Sequence, residues 1–274
     1  MNNSQQGLTA IGIAENYARF LAPGVIAPWT ADTLQHLQAR PGDNVLDVGC
    51  GVGAATFDIA RLVAPGGRVV GIDLDYGMLA VGERIRSGLD LRNVSLKLMD
   101  ASSLDFPDEA FDRVVCQHAL MYFADQTAAL REMYRVLSRG GRLIVVAWGS
   151  RLALHHESLL AAAFRFHIAE EPLFFDTVFS LSERGRLESL MRAAGLKTQP
   201  VIERRERMTA FPNSESYWQG MVMGRSLAYS VEKLPERVQM AIKADVIARL
   251  RPYKTVAGNY EIPMEAIIAT VTKP

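Results

Sequence analysis

Residues 45–53 of the chain read VLDVGCGVG, an apolar run that leads into three closely spaced glycines. The apolar run predicts a buried strand, and the spacing of apolar residues from Ala54 to Val63 predicts an amphipathic helix directly after it. Glycines let the backbone approach a ligand closely, and the first amides of a helix attract anionic or polar groups. The stretch therefore predicts a strand, a ligand-facing loop and a helix.

The same alternation of strand and helix continues along the chain. Strands are predicted at Asn44 to Val48, Arg68 to Ile72, Val94 to Leu98, Phe111 to Cys116, Leu143 to Trp148, Val201 to Phe211 and Tyr260 to Thr272. Strands separated by helices indicate a parallel sheet covered on both faces. We expect an α/β, Rossmann-like fold, with a seven-stranded, mostly parallel sheet, an antiparallel C-terminal edge hairpin and a helical cap.

The chain divides into four segments by its pattern. Pro23-Gly24 is expected to interrupt the helical pattern near the N-terminus. The segments are an N-terminal helical lid at 1–40, a ligand-binding core at 41–150, a helical cap insertion at 151–181, and the C-terminal part of the core at 182–274, with a second helical insertion at about 213–255. Both insertions are expected to lie above the carboxyl ends of the strands.

Composition excludes several classes of function. Lys and Arg number 30, as do Asp and Glu, so a nucleic-acid partner is not expected. The two cysteines, Cys50 and Cys116, lack metal-ligand or disulfide spacing, which predicts a reducing compartment and no metal site. The first residues lack a signal pattern and no apolar run is long enough to span a membrane, so we expect a cytoplasmic protein. Its oligomeric state, monomer or homodimer, stays open.

Acidic residues at the strand ends point to the kind of ligand. Asp73 ends the second strand, where a carboxylate can accept both hydroxyls of a ribose. Asp47 precedes the glycine loop, where it would repel a pyrophosphate but suits a ligand with an ammonium and a sulfonium. Either residue can instead be a turn or helix-capping residue. Gly49-x-Gly51-x-x-Ala54 also fits a dinucleotide fingerprint, so the loop alone does not decide.

The third strand is followed by Asp100-Ala101, where a side-chain acceptor can reach an adenine amino group. Leu74 and Met78 offer apolar surface to the ring. A single Asp after a strand is also a common turn residue, so this position counts only together with the others.

These residues together resemble the class I S-adenosylmethionine (SAM)-dependent methyltransferases over about residues 40–148. The segments VCQHALMYF at 115–123 and REMYRVLSRGG at 131–141 are similar to the branch that includes ubiquinone and menaquinone C-methyltransferases. The resemblance implies SAM as cofactor, S-adenosylhomocysteine as product and a small-molecule acceptor. Secondary metabolism is the expected setting.

The resemblance also implies roles for individual residues. Asp73 would bind the ribose and Asp100 and Ala101 the adenine, while Gln117 or His118 would lie beside the sulfonium. The remaining cofactor residues would surround the methionine part, with Asp47 near its amino group and Tyr17 as a lid: Tyr17, Asp47, Gly49, Cys50, Gly51 and Gly53.

Catalysis by such a site depends mainly on alignment, which can supply about 7–11 kcal/mol. A general base adds about 10²–10⁴-fold. His118 is the candidate base and Tyr122 would orient the acceptor. Whether His118 takes a proton or only hydrogen-bonds to backbone or SAM stays open.

Aromatic and Met residues of the two insertions suggest an apolar or aromatic acceptor, although the same residues can simply pack the cap onto the sheet. They are Phe164, Phe166, Phe174, Phe175, Phe179, Tyr217, Trp218, Met221, Met223 and Tyr229.

Two other classes of function remain as alternatives. An NAD(P)-dependent oxidoreductase would need a hydride-transfer constellation such as Tyr-x-x-x-Lys, which we do not find, and Asp47 disfavours it. A SAM-binding protein that catalyses a non-methylating reaction, or that regulates, would keep the same cofactor motifs.

Overall fold

The computed structural model describes residues 9–149, 155–168 and 174–274 of the chain. Parts of the expected lid and first cap insertion, at 1–8, 150–154 and 169–173, therefore lie outside the described residues, as do the side chains of Phe174, Phe175 and Phe179.

The sheet has seven strands in the order β3-β2-β1-β4-β5-β7-β6. The strands are β1 (Asn44–Val48), β2 (Arg68–Asp73), β3 (Val94–Leu98), β4 (Phe111–Gln117), β5 (Leu137–Trp148), β6 (Val201–Phe211) and β7 (Tyr260–Thr272). Strands β1 to β5 pair in parallel, and β7 lies antiparallel between β5 and β6. The expected α/β fold with an antiparallel C-terminal edge hairpin is confirmed.

Helices cover the sheet, and side-chain caps mark where several of them begin. Asp75, Asp125 and Asn213 each accept a backbone N–H of the first turn that follows, which satisfies amides that have no partner inside the helix. The helices are α1 (Ala10–Asn16), α2 (Ala27–Leu37), α3 (Ala54–Val63), α4 (Tyr76–Ser87), α5 (Gln126–Val136), α6 (His155–His167), α7 (Phe174–Phe179), α8 (Arg184–Ala193), α9 (Ser214–Met221), α10 (Leu227–Glu232) and α11 (Glu236–Leu250).

The N-terminal helices differ from expectation. A π-helical segment, Tyr17–Ile26, joins α1 to α2 without a break, so the expected interruption at Pro23-Gly24 is wrong. A π-type turn departs from the regular i to i−4 bonding, so Pro23, which has no N–H to donate, is accommodated there. Gly24 allows close packing on β6, because a Cβ on it would lie 2.3 Å from the carbonyl oxygen of Ala210.

The central strands are buried on both faces and carry nearly continuous apolar runs, as parallel sheets require. Val45, Leu46 and Val48 of β1 are inaccessible to solvent, as are Leu143 to Ala147 of β5. Strand β1 pairs with β2 on one side and β4 on the other, so the chain direction across the sheet reverses there. In open α/β sheets ligands bind in the crevice at this reversal, beyond the carboxyl ends of the strands.

Candidate active site

Two adjoining cavities open at the carboxyl ends of β1, β2 and β4, where the chain direction reverses. The first, of about 320 Å³, lies between the strand ends, the N-terminal helices and the cap. The second, of about 650 Å³, runs along the ends of β2 and β3. Residues that line both cavities form the junction between them: Gly49, Asp73, Asp75, Ala119 and Tyr122.

The glycine loop is tied to the neighbouring strand, since the amides of Gly49 and Cys50 donate to the carbonyl of Ile72 at 2.8 and 2.9 Å. Gly49 has a φ of +73°, and a Cβ on it would lie 2.3 Å from that of Ala119. Gly51 has a φ of +55° and lines the first cavity, but a Cβ there would meet no protein atom within 4 Å. The missing side chain at Gly51 therefore leaves open space beside the loop.

The carboxylate of Asp73 is held at the junction by two backbone amides. Gly51 donates to one oxygen at 2.8 Å, and Asp75 donates to the other at 2.9 Å. Burial raises the pKa of Asp73, and these two amides oppose that effect. The carboxylate is thus fixed in orientation on the border of both cavities, as a ribose-binding acid requires.

Three predicted cofactor residues, in or just before the glycine loop, line neither cavity. Asp47 is buried and accepts a hydrogen bond from the Thr56 hydroxyl at 2.6 Å, while burial raises its pKa to about 6. Cys50 is buried against Gly71, and Gly53 gives space to the ring of Phe57. The other predicted cofactor residues each line one or both cavities.

The second cavity is lined by Leu74, Asp100 and Ala101, which were expected to hold an adenine, while Met78, expected at the same ring, lines the first cavity. Leu74 has 69% of its surface exposed. One oxygen of Asp100 accepts from the amide and the hydroxyl of Ser102, each at 2.8 Å, and these bonds lower the pKa of Asp100. An ionised acceptor therefore stands beside an apolar surface.

The end of β4 supplies Gln117 and His118 to the first cavity. The Thr33 hydroxyl donates to Gln117 Oε1 at 2.5 Å, which orients the amide. Within the described part of the chain, Gln117 Nε2 and both ring nitrogens of His118 are buried without a hydrogen-bond partner. His118 has a φ of +54°, a conformation uncommon for residues other than glycine. These unpaired polar atoms at the cavity wall are suited to a ligand.

The protonation states of the cavity side chains follow from burial. Burial lowers the pKa of His118 to about 3, so its imidazole is neutral at physiological pH. Burial raises the pKa of Tyr17, and Tyr122, although 44% exposed, also has a raised pKa, so both phenols, which ordinarily titrate near pH 10, keep their protons. Met78 lines the first cavity next to them.

Sequence reasoning missed a buried ion pair in this wall. Arg225, between α9 and α10, donates to Glu157 of α6 with 2.5 Å between Nη1 and Oε1, and both residues line the first cavity. Each of the two residues is a single charged residue within a largely apolar stretch of sequence, and this is the feature that could have marked them as functional. Their pairing across 68 positions could not be read from that signal.

Apolar lining of the first cavity includes Leu21, Val25, Ile26 and Met264, and none of the cap aromatic residues whose side chains the structure describes lines it. Of those, Phe164, Tyr217, Trp218 and Met221 are buried in the core, and Phe166 is exposed. For the four buried residues the packing explanation holds, while the exposed Phe166 does not line the cavity either.

His156, from the same region, is buried by Tyr217 and Thr209 and does not line the cavity. The Thr209 hydroxyl donates to the carbonyl of Ile262, so it accepts from His156 Nε2, and His156 Nδ1 accepts from Tyr217. His156 therefore serves the packing of the cap.

A glycine loop at the reversal point of a Rossmann-like sheet, with acids at the ends of β2 and β3, defines the class I methyltransferase type of α/β protein. The chain belongs to the methyltransferase-domain family, whose profile matches residues 39–186.

Curated relatives are similar over the same region. A demethylmenaquinone methyltransferase of Symbiobacterium thermophilum is 40% identical over 136 residues, which are 48% of this chain and 54% of the relative. A ubiquinone/menaquinone biosynthesis C-methyltransferase of Vibrio parahaemolyticus is 36% identical over 149 residues, 54% of this chain and 57% of the relative. The chain thus spans little more than half the length of these relatives.

Solved structures share the fold across most of the chain. Phosphoethanolamine N-methyltransferase 2 of Haemonchus contortus superposes with a TM-score of 0.60 at 19% identity, covering 97% of this chain and 58% of that one. The [4+2]-cyclase SpnF superposes with a TM-score of 0.54 at 22% identity, covering 90% and 80%. At these identities the likeness concerns the fold alone. In the described part of the chain, no helix combines the length and apolar content needed to cross a membrane.

Proposed function

We propose that the chain is a SAM-dependent methyltransferase that acts on a small acceptor with an apolar or aromatic body. The observation that carries the proposal is Asp73, which is held by the amide of Gly51 at the junction of two cavities. One cavity has the residues for an adenine, and the other has unpaired polar atoms and an apolar wall. SAM consists of an adenosine joined through a sulfur to the chain of methionine. Its two parts match the two cavities.

The residues present fit SAM. Asp73 would accept the ribose hydroxyls, and Leu74, Asp100 and Ala101 would hold the adenine. The open space at Gly51 and the amide nitrogen of Gln117 suit the methionine part. SAM, when bound, supplies a methyl group on a positively charged sulfur, which is already a good leaving group.

The chain's own contribution is then to bind, orient and exclude water. The N-terminal helices cover the first cavity, with Tyr17 in its wall, and keep a reactive electrophile away from bulk solvent. Leu21, Val25, Ile26 and Met264 would contact the acceptor body. Effective molarity from such alignment is the main source of rate, worth about 7–11 kcal/mol.

His118 and Tyr122 are the proposed catalytic residues. A buried imidazole with a pKa of about 3 is a weak base, so it removes a proton only from an acidic acceptor group and otherwise positions the acceptor by a hydrogen bond. Tyr122 keeps its proton at physiological pH, because a phenol ordinarily titrates near pH 10, and so acts as a hydrogen-bond donor. Both side chains line the first cavity.

The test is transfer of labelled methyl from SAM to a panel of aromatic acceptors, with reduced naphthoquinones first because curated relatives are named for demethylmenaquinone. We expect the label to appear on the acceptor, and S-adenosylhomocysteine to form in an amount equal to that of the methylated acceptor. A ternary complex of SAM and acceptor that forms without transfer would contradict methylation and favour a non-methylating reaction.

A further inference from the structure

The ion pair in the cap has an arrangement suited to ligand binding. Arg225 Nη1 and Nη2 lie 2.5 and 3.3 Å from the two carboxylate oxygens of Glu157, and Nε donates to the carbonyl of Met221 at 2.7 Å. The Glu157 side chain is 2% exposed and that of Arg225 is 11% exposed. Both line the first cavity, so the guanidinium is held rigidly at its wall.

Stability does not explain a buried pair at this place. Desolvation of two charges commonly outweighs their attraction, and apolar residues of similar volume often stabilise a protein equally well. The surrounding cap is apolar and already packs through Phe164, Tyr217 and Met221, all of which are buried. A charge pair at the edge of a cavity is therefore better explained by what it contacts inside the cavity.

The pair presents its positive end to the cavity. Burial is the main influence on the pKa of Tyr122, but Arg225 lowers that pKa more than Glu157 raises it. Arg225, and not Glu157, is among the groups that act on the pKa of Tyr17. At Tyr217, in the interior of the cap, Glu157 has the larger effect. The field of the pair therefore favours an anion beside Tyr122, whereas at Tyr17 Asp73 raises the pKa more than Arg225 lowers it.

The guanidinium is the more accessible end of the pair, since the Arg225 side chain is 11% exposed and that of Glu157 is 2% exposed. Both residues line the first cavity together with Tyr122 and the proposed catalytic His118.

We propose that Arg225, positioned by Glu157, binds an oxyanion on the acceptor, so that the acceptor is a small apolar ring with an ionisable oxygen. The inference rests on the proposed function, in that acceptor and SAM share these cavities. The ring would contact Leu21, Val25 and Met264, while the oxygen would face Arg225. Arg225 is then a residue that determines which acceptors bind.

The test compares two probes with the same ring, 1-naphthol and 1-methoxynaphthalene, on protein saturated with S-adenosylhomocysteine. Only the first has an ionisable oxygen. We expect the wild type to prefer 1-naphthol, and Glu157→Gln/Arg225→Met to lose about 10–100-fold of that preference, the worth of a charge-assisted hydrogen bond. The double variant avoids an unpaired buried charge, and thermal unfolding verifies that it folds.

A matched control is the Asp32–Arg207 pair, which is bidentate at 2.6 and 2.9 Å, has Asp32 buried and lies outside both cavities. Asp32→Asn/Arg207→Met should keep the probe preference. Arg225→Lys should keep part of it, because the charge remains while the planar fork is lost.

An unchanged preference in the folded Glu157/Arg225 double variant would overturn the inference while leaving the proposed function intact. A loss of SAM affinity with an unchanged probe preference would overturn it too, because Arg225 would then bind the SAM carboxylate. Failure of the wild type to bind SAM would instead overturn the proposed function itself.

Discussion

The imidazole of His118 stacks on the indole of Trp148, with ring centroids 3.5 Å apart and planes 10° from parallel. Trp29 approaches the same imidazole edge-on at 5.8 Å. The aromatic surroundings bury the imidazole and keep it neutral, while its two nitrogens have no hydrogen-bond partner in the part of the chain that the structure describes. A neutral, rigidly held imidazole at the cavity wall is therefore available to an acceptor.

Replacing His118 tests its chemical role. Asn tolerates the left-handed backbone of this position better than most residues. We expect His118→Asn to lower kcat by about 2–10-fold, the worth of a hydrogen bond that positions the acceptor, with the Kd of SAM nearly unchanged. Single-turnover transfer of labelled methyl measures the step directly. A kcat equal to that of the wild type would leave His118 a packing residue against Trp148.

Acid should destabilise the protein through its buried histidines. Burial lowers the pKa of His118 and of His156 to about 3, below the ordinary 6.5. The unfolded chain then binds more protons, so the free energy of unfolding falls as pH drops below about 6.5. At about pH 5 the loss is about 2 kcal/mol for each histidine.

Asp47 acts in the opposite direction, because its pKa is raised to about 6 and the folded state binds its proton first. Protonation of Asp47 therefore raises the free energy of unfolding by about 1 kcal/mol between about pH 6 and pH 5. Urea unfolding at pH 7 and pH 5 measures the sum, and His118→Asn should flatten the dependence. Equal stability at both values would show that these histidines titrate normally.

Gly51 allows cofactor binding to be separated from folding. Its φ is +55° and a Cβ there meets no protein atom, so Gly51→Ala costs about 1–2 kcal/mol of backbone strain and places a methyl group into the space proposed for SAM. Gly140 is the matched control, since it also has a positive φ and open surroundings but lines neither cavity. Calorimetry should show weaker SAM binding for Gly51→Ala only. Equal affinities in both variants would place the methionine part elsewhere.

The sheet could be predicted from the sequence because its central strands are apolar runs bounded by turn residues and its edge strand β6 mixes buried apolar and exposed charged residues. Val201–Phe211 and Tyr260–Thr272 have the bounds that were predicted. Strand β5 begins at Leu137 and not at Leu143 as predicted. Gly140 has a positive φ, and the pairing of β4 with β5 shifts register nearby, but the strand continues through this irregularity. Local pattern does not report such an irregularity.

The candidate site was predictable where it follows directly from the strands. Asp73 and Gln117 are the last residues of their strands, Asp100 and His118 follow within two residues of a strand end, and all four line the cavities. Arg225 reaches the site only through the packing of the cap helices, which depends on contacts between residues far apart in sequence. A motif in one segment cannot reveal such a partner.

The central claim is that the glycine loop and Asp73 bind SAM and not a dinucleotide. Its most direct test is calorimetric titration of the wild type and Asp73→Asn with SAM and, separately, with NADH. We predict that SAM binds to the wild type and about 10–100-fold more weakly to the variant, and that NADH binds to neither. The side-chain amide of Asn has only one acceptor oxygen, so it cannot replace both carboxylate oxygens, which accept from the amides of Gly51 and Asp75 and would also accept from a ribose. Binding of NADH without binding of SAM would contradict the account and make the loop a dinucleotide site.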